Sequence, residues 1–442
     1  MPASLTSQRP GSVLASLLSE ESFRPAELRS LEETGLPASL VESLVCKFLL
    51  QTGSSSGREI AKEICLPFGV LNGILQSLRT RQIVSHMGSA MLNDYRYTLT
   101  EQGRGQAQVF HNACAYVGPA PVPLAEYIDS VDAQTIRAES PKRSELIDAF
   151  REISIDPSLF EKLGPAINSG AGLFLYGYPG NGKSTLARQI TMCFSQEIWV
   201  PHTLVEDGQL IKLYDAAYHQ EVEASDESLI RSTEVDARWV KIRRPTVVVG
   251  GELTLDALEI RHDPNSNMNE APLQMKSNGG CLIIDDFGRQ RIDPTELLNR
   301  WSVPLEARVD FLTLSTGKKI QVPFEQLIIF STNLEPCDLV DDAFLRRIPY
   351  KIKISDPQPD EFHQLFQIYC DKFGCDYQKD VIDELIQKHY FAANRPLRRC
   401  HPRDLLGQIR NYCVYNDLPL EVKPEHFDRV VKSYFTAVMG EQ

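Results

Sequence analysis

The chain has no run approaching the roughly 18 consecutive apolar residues that a membrane-crossing helix needs, and no apolar core near its first residue of the kind a secretory leader carries. Membrane insertion and secretion are therefore not expected, and a soluble, cytoplasmic protein is. No Cys-x-x-Cys pair occurs. The nearest of the 10 cysteines are Cys370 and Cys375, and the 9 histidines are just as dispersed, so neither a zinc cage nor a disulfide framework stands out. Positive charge is in deficit: 46 Lys and Arg stand against 59 Asp and Glu, a formal net charge of −13. That balance argues against nonspecific grip on a polyanion and leaves room only for a local basic patch. Core-forming material is plentiful, at 42% hydrophobic over 442 residues, enough for two or three domains.

Against this background one segment is sharply patterned. Gly177-Tyr178-Pro179-Gly180-Asn181-Gly182-Lys183-Ser184-Thr185 fits Gly-x-x-x-x-Gly-Lys-[Ser/Thr] at every fixed position. It follows the apolar run Leu173-Phe174-Leu175-Tyr176 and opens a helix-compatible stretch over 184–194. Glycines let the backbone curl so that successive N–H groups face inward on a phosphate, and the helix N-terminus adds positive dipole. Lys183 would reach the β- and γ-phosphates of a bound nucleotide, and the Ser184 hydroxyl would join a Mg²⁺ shell. A glycine-rich turn without a ligand is the competing reading.

Three further segments fit the same chemistry. Cys281-Leu-Ile-Ile-Asp285-Asp286 is too short for a core helix and reads as a buried parallel strand with two carboxylates at its carboxyl edge. Asp285 would hold the Mg²⁺ shell, and Asp286 would orient or deprotonate an attacking water. The competing reading is a strand that ends in a solvated acidic turn. Gln326-Leu-Ile-Ile-Phe-Ser-Thr-Asn333 reads as another buried strand, ending in an amide that could meet the water or the γ-phosphate. Asp342-Ala-Phe-Leu-Arg346-Arg347-Ile348 reads as a helix closing on two arginines. Such a pair is either an ordinary solvated helix end or a phosphate-binding fork offered to a neighbouring subunit. Arg403, in the first turn of an amphipathic helix, would alone be a plain surface arginine.

In this order the segments resemble the AAA+ ATPases, P-loop machines that usually form hexameric rings, over roughly residues 140–437. The resemblance implies a parallel five-stranded sheet flanked by helices (an α/β fold) with a C-terminal helical lid, and it implies ATP and Mg²⁺ as ligands. It makes residues 177–184 Walker A, Asp285 and Asp286 Walker B and Asn333 sensor 1. Arg346 or Arg347 becomes an arginine finger acting in trans, and Arg403 becomes sensor 2. The chain departs from the family in Asp286, where Glu is usual; helicase-loader and transposition ATPases share the Asp-Asp pair. Finer motifs, Gly250-Gly-Glu-Leu-Thr-Leu-Asp-Ala-Leu258, Glu270-Ala-Pro-Leu-Gln-Met-Lys-Ser-Asn-Gly-Gly280 and Asp285-Asp-Phe-Gly-Arg-Gln290, resemble a bacterial AAA+ group described as predicted ATPases with chaperone activity, associated with Flp pilus assembly. The resemblance implies a protein client and a homo-oligomer.

Five regions are expected: a Ser-, Pro- and Glu-rich segment at 1–37 with a helix-compatible piece at 13–18, a small domain at 38–111, a Pro-rich linker at 112–142, the α/β core at 143–354, and the lid at 355–442. In the small domain, helices near 40–50, 54–64 and 66–81 precede a hairpin turning at Gly88. Its close, Leu99-Thr100-Glu101-Gln102-Gly103, resembles the end of bacterial winged-helix domains, which makes DNA a possible partner. Seven cations face five carboxylates over 39–110, a thin basic face for phosphate, so protein contact is preferred. Within the core, either 198–201 or Thr246–Val249 supplies a sheet strand, and the charged stretch 219–244 is expected as an insertion; its acidic run at 221–227 reads as a solvated face. A hairpin over 311–322, turning near Gly317, is either a plain β-hairpin or, since it resembles the pre-sensor-1 hairpin of some AAA+ ATPases, one that would present Lys318 and Lys319 to a polyanion or an acidic polypeptide.

Overall fold

Five short apolar runs make the centre of the molecule, and their burial on both faces explains why they lack the alternation of a half-exposed strand. In the computed structural model, which describes residues 23–90, 94–151, 156–194, 197–222 and 235–436, they are β1 (Leu173–Tyr176), β2 (Thr246–Val249), β3 (Cys281–Ile284), β4 (Leu327–Thr332) and β5 (Tyr350–Lys353). They lie in the order β2-β3-β4-β1-β5, each pair parallel. Successive residues go to opposite layers: Leu173, Leu175, Ile283 and Ile329 join one core, while Phe174, Leu282, Ile284, Ile328 and Phe330 join the other. Because β4 lies between β1 and β3, the residues just past these strands, Gly177, Asn333 and Asp285, open on one edge of the sheet. This is the expected α/β arrangement, a parallel five-stranded sheet flanked by helices such as α1 (Lys183–Ile190).

Past β5 the chain forms the helical lid: α2 (Pro359–Phe373), α3 (Lys379–Leu385) running into a π turn over Ile386–Phe391, α4 (His401–Tyr415) and α5 (Pro424–Thr436). Pro359 sits at the start of α2, where a missing N–H costs nothing, and Gly374 closes it in the left-handed conformation. The lid has its own core of Phe362, Phe366, Tyr390, Leu405, Leu406 and Phe427.

Several expectations change in the structure. A β-rich annex, packed around Leu204, Ile211, Trp239, Ile242, Leu312 and Val322, stands beside the central sheet. It includes a five-stranded sheet and two antiparallel strand pairs, Glu197–Pro201 with Trp239–Arg243 and the hairpin Val309–Thr313 with Lys319–Pro323. The alternative at 198–201 therefore belongs to the annex, and Thr246–Val249 is the strand of the central sheet. The end of the expected insertion is buried strand, because Trp239, Val240 and Ile242 are apolar and alternate with charge. Residues 112–142 are strapped down more deeply than a linker: the helix Leu124–Ala133 buries Leu124, Tyr127 and Val131 in the annex core. The hairpin near Gly317 is present, but Lys318 lies 2.9 Å from Glu206 and is thus committed within the chain. The expected piece at 13–18 and most of the acidic run at 221–227 lie outside the described residues.

The N-terminal unit combines helices Ala38–Thr52, Gly57–Glu63, Phe68–Thr80 and Glu101–Ala113 with a three-stranded antiparallel sheet. Ser56 and Glu59 cap the second helix reciprocally. The strand Val84–Ala90 runs straight through Gly88 with a register shift between His86 and Gly88, so the reversal expected at Gly88 does not occur there. The Leu-Thr-x-x-Gly close has a physical basis. Thr100 accepts a hydrogen bond from the Gly103 N–H at 3.0 Å, and a Cβ at Gly103 would sit 2.0 Å from the Ile83 carbonyl oxygen, so only glycine fits.

Arg238, 1% exposed, ties these parts together. Its guanidinium donates to the Thr34 carbonyl at 2.9 Å and the Pro121 carbonyl at 3.1 Å, and pairs with Asp236 at 2.8 Å. Removing one member of a buried ion pair strands the other. Arg238→Met is therefore expected to cost about 3 kcal/mol in urea unfolding, and adding Asp236→Leu should recover most of the loss.

Candidate functional site

The edge where β1, β3 and β4 end is built by the residues singled out in the sequence. Gly177, Gly180 and Gly182 all have positive φ, at 135°, 83° and 81°, which lets the loop arch back over α1. Side chains are excluded at two of them: a Cβ at Gly177 would lie 2.4 Å from the Ile354 carbonyl oxygen, and one at Gly180 would lie 2.6 Å from Cys400 Sγ. Inside the arch the Lys183 ammonium donates to Gly177 O at 2.9 Å, Tyr178 O at 3.0 Å and Asn333 Oδ1 at 2.7 Å. All three of its N–H bonds are thereby used. Burial lowers its pKa, against the opposing pull of Asp286 and Asp285.

The carboxylates come next to this ammonium by way of β3. Ser184 Oγ donates to Asp285 Oδ1 at 2.7 Å, so the two groups proposed for a metal shell touch one another. Asn333 Nδ2 donates to Asp286 Oδ1 at 3.1 Å. Asn333 thus bridges Lys183 and Asp286 with the two ends of one amide. Asp286 itself has φ of 50°, a left-handed conformation that costs a non-glycine residue about 1 kcal/mol. The sharp turn is pinned by Phe287 N–H on Ser331 O at 2.7 Å and by Thr332 Oγ1 on Phe287 O at 2.8 Å.

These groups line a cleft of about 700 Å³ between the sheet edge and the lid. Its lining includes the glycine arch and the apolar side chains of Leu159, Ile354, Leu365, Ile368 and Tyr369. The charged lining is one-sided: Lys183, Arg289, Lys372, Arg399 and Arg403 against Asp286. Two of the cations are braced at the rim, Arg399 by Glu361 at 3.1 Å and Arg403 by Asp404 at 2.8 Å. An apolar slot beside a cationic arch fits a planar base carrying several phosphates, and the Ser184–Asp285 pair offers the hard oxygen donors that Mg²⁺ takes alongside phosphate.

Of the residues named from sequence, Gly180, Asn181, Gly182, Lys183, Ser184, Thr185, Pro179, Asp286, Asn333 and Arg403 line this cleft. Gly177, Tyr178 and Asp285 reach it through the contacts just described. Arg346 and Arg347 do not line it. Arg347 lies 2.6 Å from Glu306 and only 17% of its side chain is exposed, whereas Arg346 is 71% exposed with Glu306 3.9 Å away. Arg289, Lys372 and Arg399 were not anticipated. Arg289 follows the Asp-Asp-Phe-Gly turn directly, and Arg398-Arg399 stands just ahead of α4, so adjacency to recognised motifs was the available signal.

A family model described as a domain of unknown function (DUF8689) matches residues 358–433, within the lid. No curated protein matches the chain. Among solved structures, NtrX from Brucella abortus in complex with ADP is 12% identical, with 74% of this chain and 58% of that chain covered and a TM-score of 0.39. A point mutant of RuvB from Thermotoga maritima is 10% identical, with coverages of 64% and 70% and a TM-score of 0.38. The chain thus spans less than two thirds of the length of NtrX. Strand order and loop geometry, rather than these shallow likenesses, define the fold.

His401, at the start of α4 beside the cleft, is the site's pH-sensitive neighbour. Burial, helped by Arg398, pushes its ring down to about 4 from an ordinary 6.5, and the Tyr390 hydroxyl lies 3.0 Å from its Nδ1. Between those two values only the unfolded chain takes up the proton, so the contribution to stability is complete above the ordinary value and is lost as pH falls toward the folded one. Lid unfolding by urea should weaken by about 2 kcal/mol on going from neutral pH to about pH 5, and His401→Gln should flatten that slope.

Proposed function

We propose that the chain binds Mg·ATP in this cleft and hydrolyses it to ADP and phosphate. The observation that carries the reading is the one-sided lining, five cations in a cleft that includes the glycine arch, in a chain whose formal net charge is −13. In this reading the loop 177–185 wraps the phosphates with backbone N–H groups, and Lys183 turns from its carbonyl partners to the β- and γ-oxygens. Ser184 and Asp285 hold Mg²⁺, which when bound neutralises phosphate charge. Asp286 takes a proton from the attacking water while Asn333 fixes the carboxylate that does so. Arg403 approaches from the lid.

The reading extends to a cytoplasmic homo-oligomer, in a hexameric ring, with the cleft completed by an arginine from the next subunit. The exposure of Arg346 favours it as the group that crosses, and the hold of Glu306 on Arg347 favours a positioning part for its neighbour. The work done is remodelling of a protein client, chaperone-like and linked to Flp pilus assembly. This finer statement is supported by the resemblance of 250–258, 270–280 and 285–290 to that bacterial group. A DNA-linked ATPase is the second reading. It draws on the N-terminal unit as a winged helix, where the exposed face of Phe68–Thr80 offers Asn72, Gln76 and Thr80, side chains able to meet base edges.

Two outcomes are expected. Lys183→Ala should weaken Mg·ATP binding about a hundredfold, whereas Asp286→Asn should keep binding and lose turnover; the trapped protein, purified with what it holds, separates protein client from DNA. Mixing Arg346→Ala with Lys183→Ala subunits should restore part of the ATPase rate, since each lacks what the other supplies. Absence of rescue at every ratio would count against a shared site, and rescue seen only with Arg347→Ala would transfer the finger to that residue.

A further inference from the structure

Asn181 occupies one of the unconstrained positions of the phosphate loop, yet it is 2% exposed and its amide is used at both ends by residues outside the loop. Nδ2 donates to Asp356 Oδ1 at 2.7 Å, and Oδ1 accepts from the Arg399 N–H at 3.3 Å. Asp356 also receives the Arg398 guanidinium in an ion pair. That same guanidinium lies 4.4 Å from the ring centroid of Tyr178, on the other flank of the arch. Between the two flanks, Cys400 N–H donates to Gly180 O at 2.9 Å.

The two segments that grip the loop are the roots of the lid. Asp356 lies between β5 and α2, and residues 398–400 lead directly into α4. Arg399, between the two grips, pairs with Glu361 on α2. Arg403 is placed differently: it is exposed and braced by its neighbour Asp404.

We infer that Asn181, Asp356 and Arg398 are positioning residues that form a second coupling between the phosphate loop and the lid, independent of Arg403. The inference rests on the nucleotide reading above and specifies how that site is regulated. Lys183 can meet phosphate only by giving up at least one of Gly177 O, Tyr178 O and Asn333 Oδ1, because its three N–H bonds are already committed. Releasing either carbonyl re-aims the Gly177–Tyr178 end of the arch. Tyr178 and Asn181 carry the Arg398–Asp356 pair with them, and the pair carries both lid roots. The lid therefore registers phosphate in the loop from behind, through contacts separate from those a lid residue makes with the nucleotide. A coupling of this kind is a difference in free energy between two lid positions, and an ion pair shared by both sides is well suited to transmit it.

The test is amide hydrogen exchange across α2 and α4 in the full-length protein, with Mg·ADP or Mg·ATPγS as probe and direct titration of each nucleotide alongside. In the unaltered chain, nucleotide should slow exchange at the start of α4 by about tenfold. Asp356→Asn and Arg398→Ala should each keep nucleotide affinity within about threefold while cutting that slowing to less than about twofold. Combining them should add little, since both break one link, whereas either combined with Arg403→Ala should show separate effects. Arg398→Lys, which keeps the charge and loses the planar fork, should restore part of the slowing and guards against a merely misfolded Ala variant. Full slowing in Asp356→Asn and Arg398→Ala would overturn the coupling while leaving the nucleotide site standing. Absence of nucleotide binding to the unaltered chain would remove both.

Discussion

Where β1, β3 and β4 stop is the constraint on which the site depends. Ile284 pairs with Phe330 and Thr332 with Tyr176, so the Asp-Asp turn, Asn333 and the glycine arch emerge beside one another without any long-range search by side chains. A slip of one residue in any of these strands would turn every apolar side chain to the wrong layer. The two cores therefore fix the register, and the register fixes the polar contacts. Lys183, Asn333 and Asp286 come from three separate segments of the chain, yet they form one hydrogen-bonded row because three buried strands cannot shift against each other.

The electrostatics follow from the same edge. An acidic surface keeps the chain from adhering to polyanions in general, while the cleft gathers cations from the phosphate loop, the turn after β3 and the lid. Field lines between low-dielectric walls concentrate in such a cleft. A ligand that brings several negative charges is rewarded there. The carboxylates kept in the cleft are not a contradiction. Asp285 is held by a hydroxyl and Asp286 by an amide, and two acids beside a buried ammonium offset its charge until a stronger anion takes it over.

Much of this was legible because parallel, doubly buried strands leave continuous apolar runs bounded by glycine or carboxylate. Cys281–Ile284 and Leu327–Thr332 could hardly be anything else. The annex was not legible, for the opposite reason. Its strands are two to five residues long, as in Arg261–Asp263, Gln209–Lys212 and Trp239–Arg243, and their polar members read as insertion or loop. Buried charge hid the packing further. Arg238, Arg244 and Lys276 look like solvent-facing residues in sequence, but each is satisfied by carboxylates or carbonyls from distant segments. The partners of Arg399 and Arg398 were equally invisible, since no periodicity links Glu361 and Asp356 to the turn before α4.

The short carboxylate at Asp286 can be understood in terms of the turn that carries it. A carboxylate one methylene shorter than Glu reaches less far from the backbone, so its usefulness depends on where the backbone puts it. Here the chain leaves β3 through a left-handed residue, and the next N–H is tied back to Ser331 on β4. That draws the Asp286 backbone toward the β4 edge, where Asn333 can hold one carboxylate oxygen. The strain is small beside the contacts that pin the turn. A longer side chain on this backbone would have to fold back to keep the Asn333 contact, losing rotamer freedom as it did so. In this chain, then, the short carboxylate, the strained turn and the amide of Asn333 form one unit, and lengthening the acid to Glu would disturb all three.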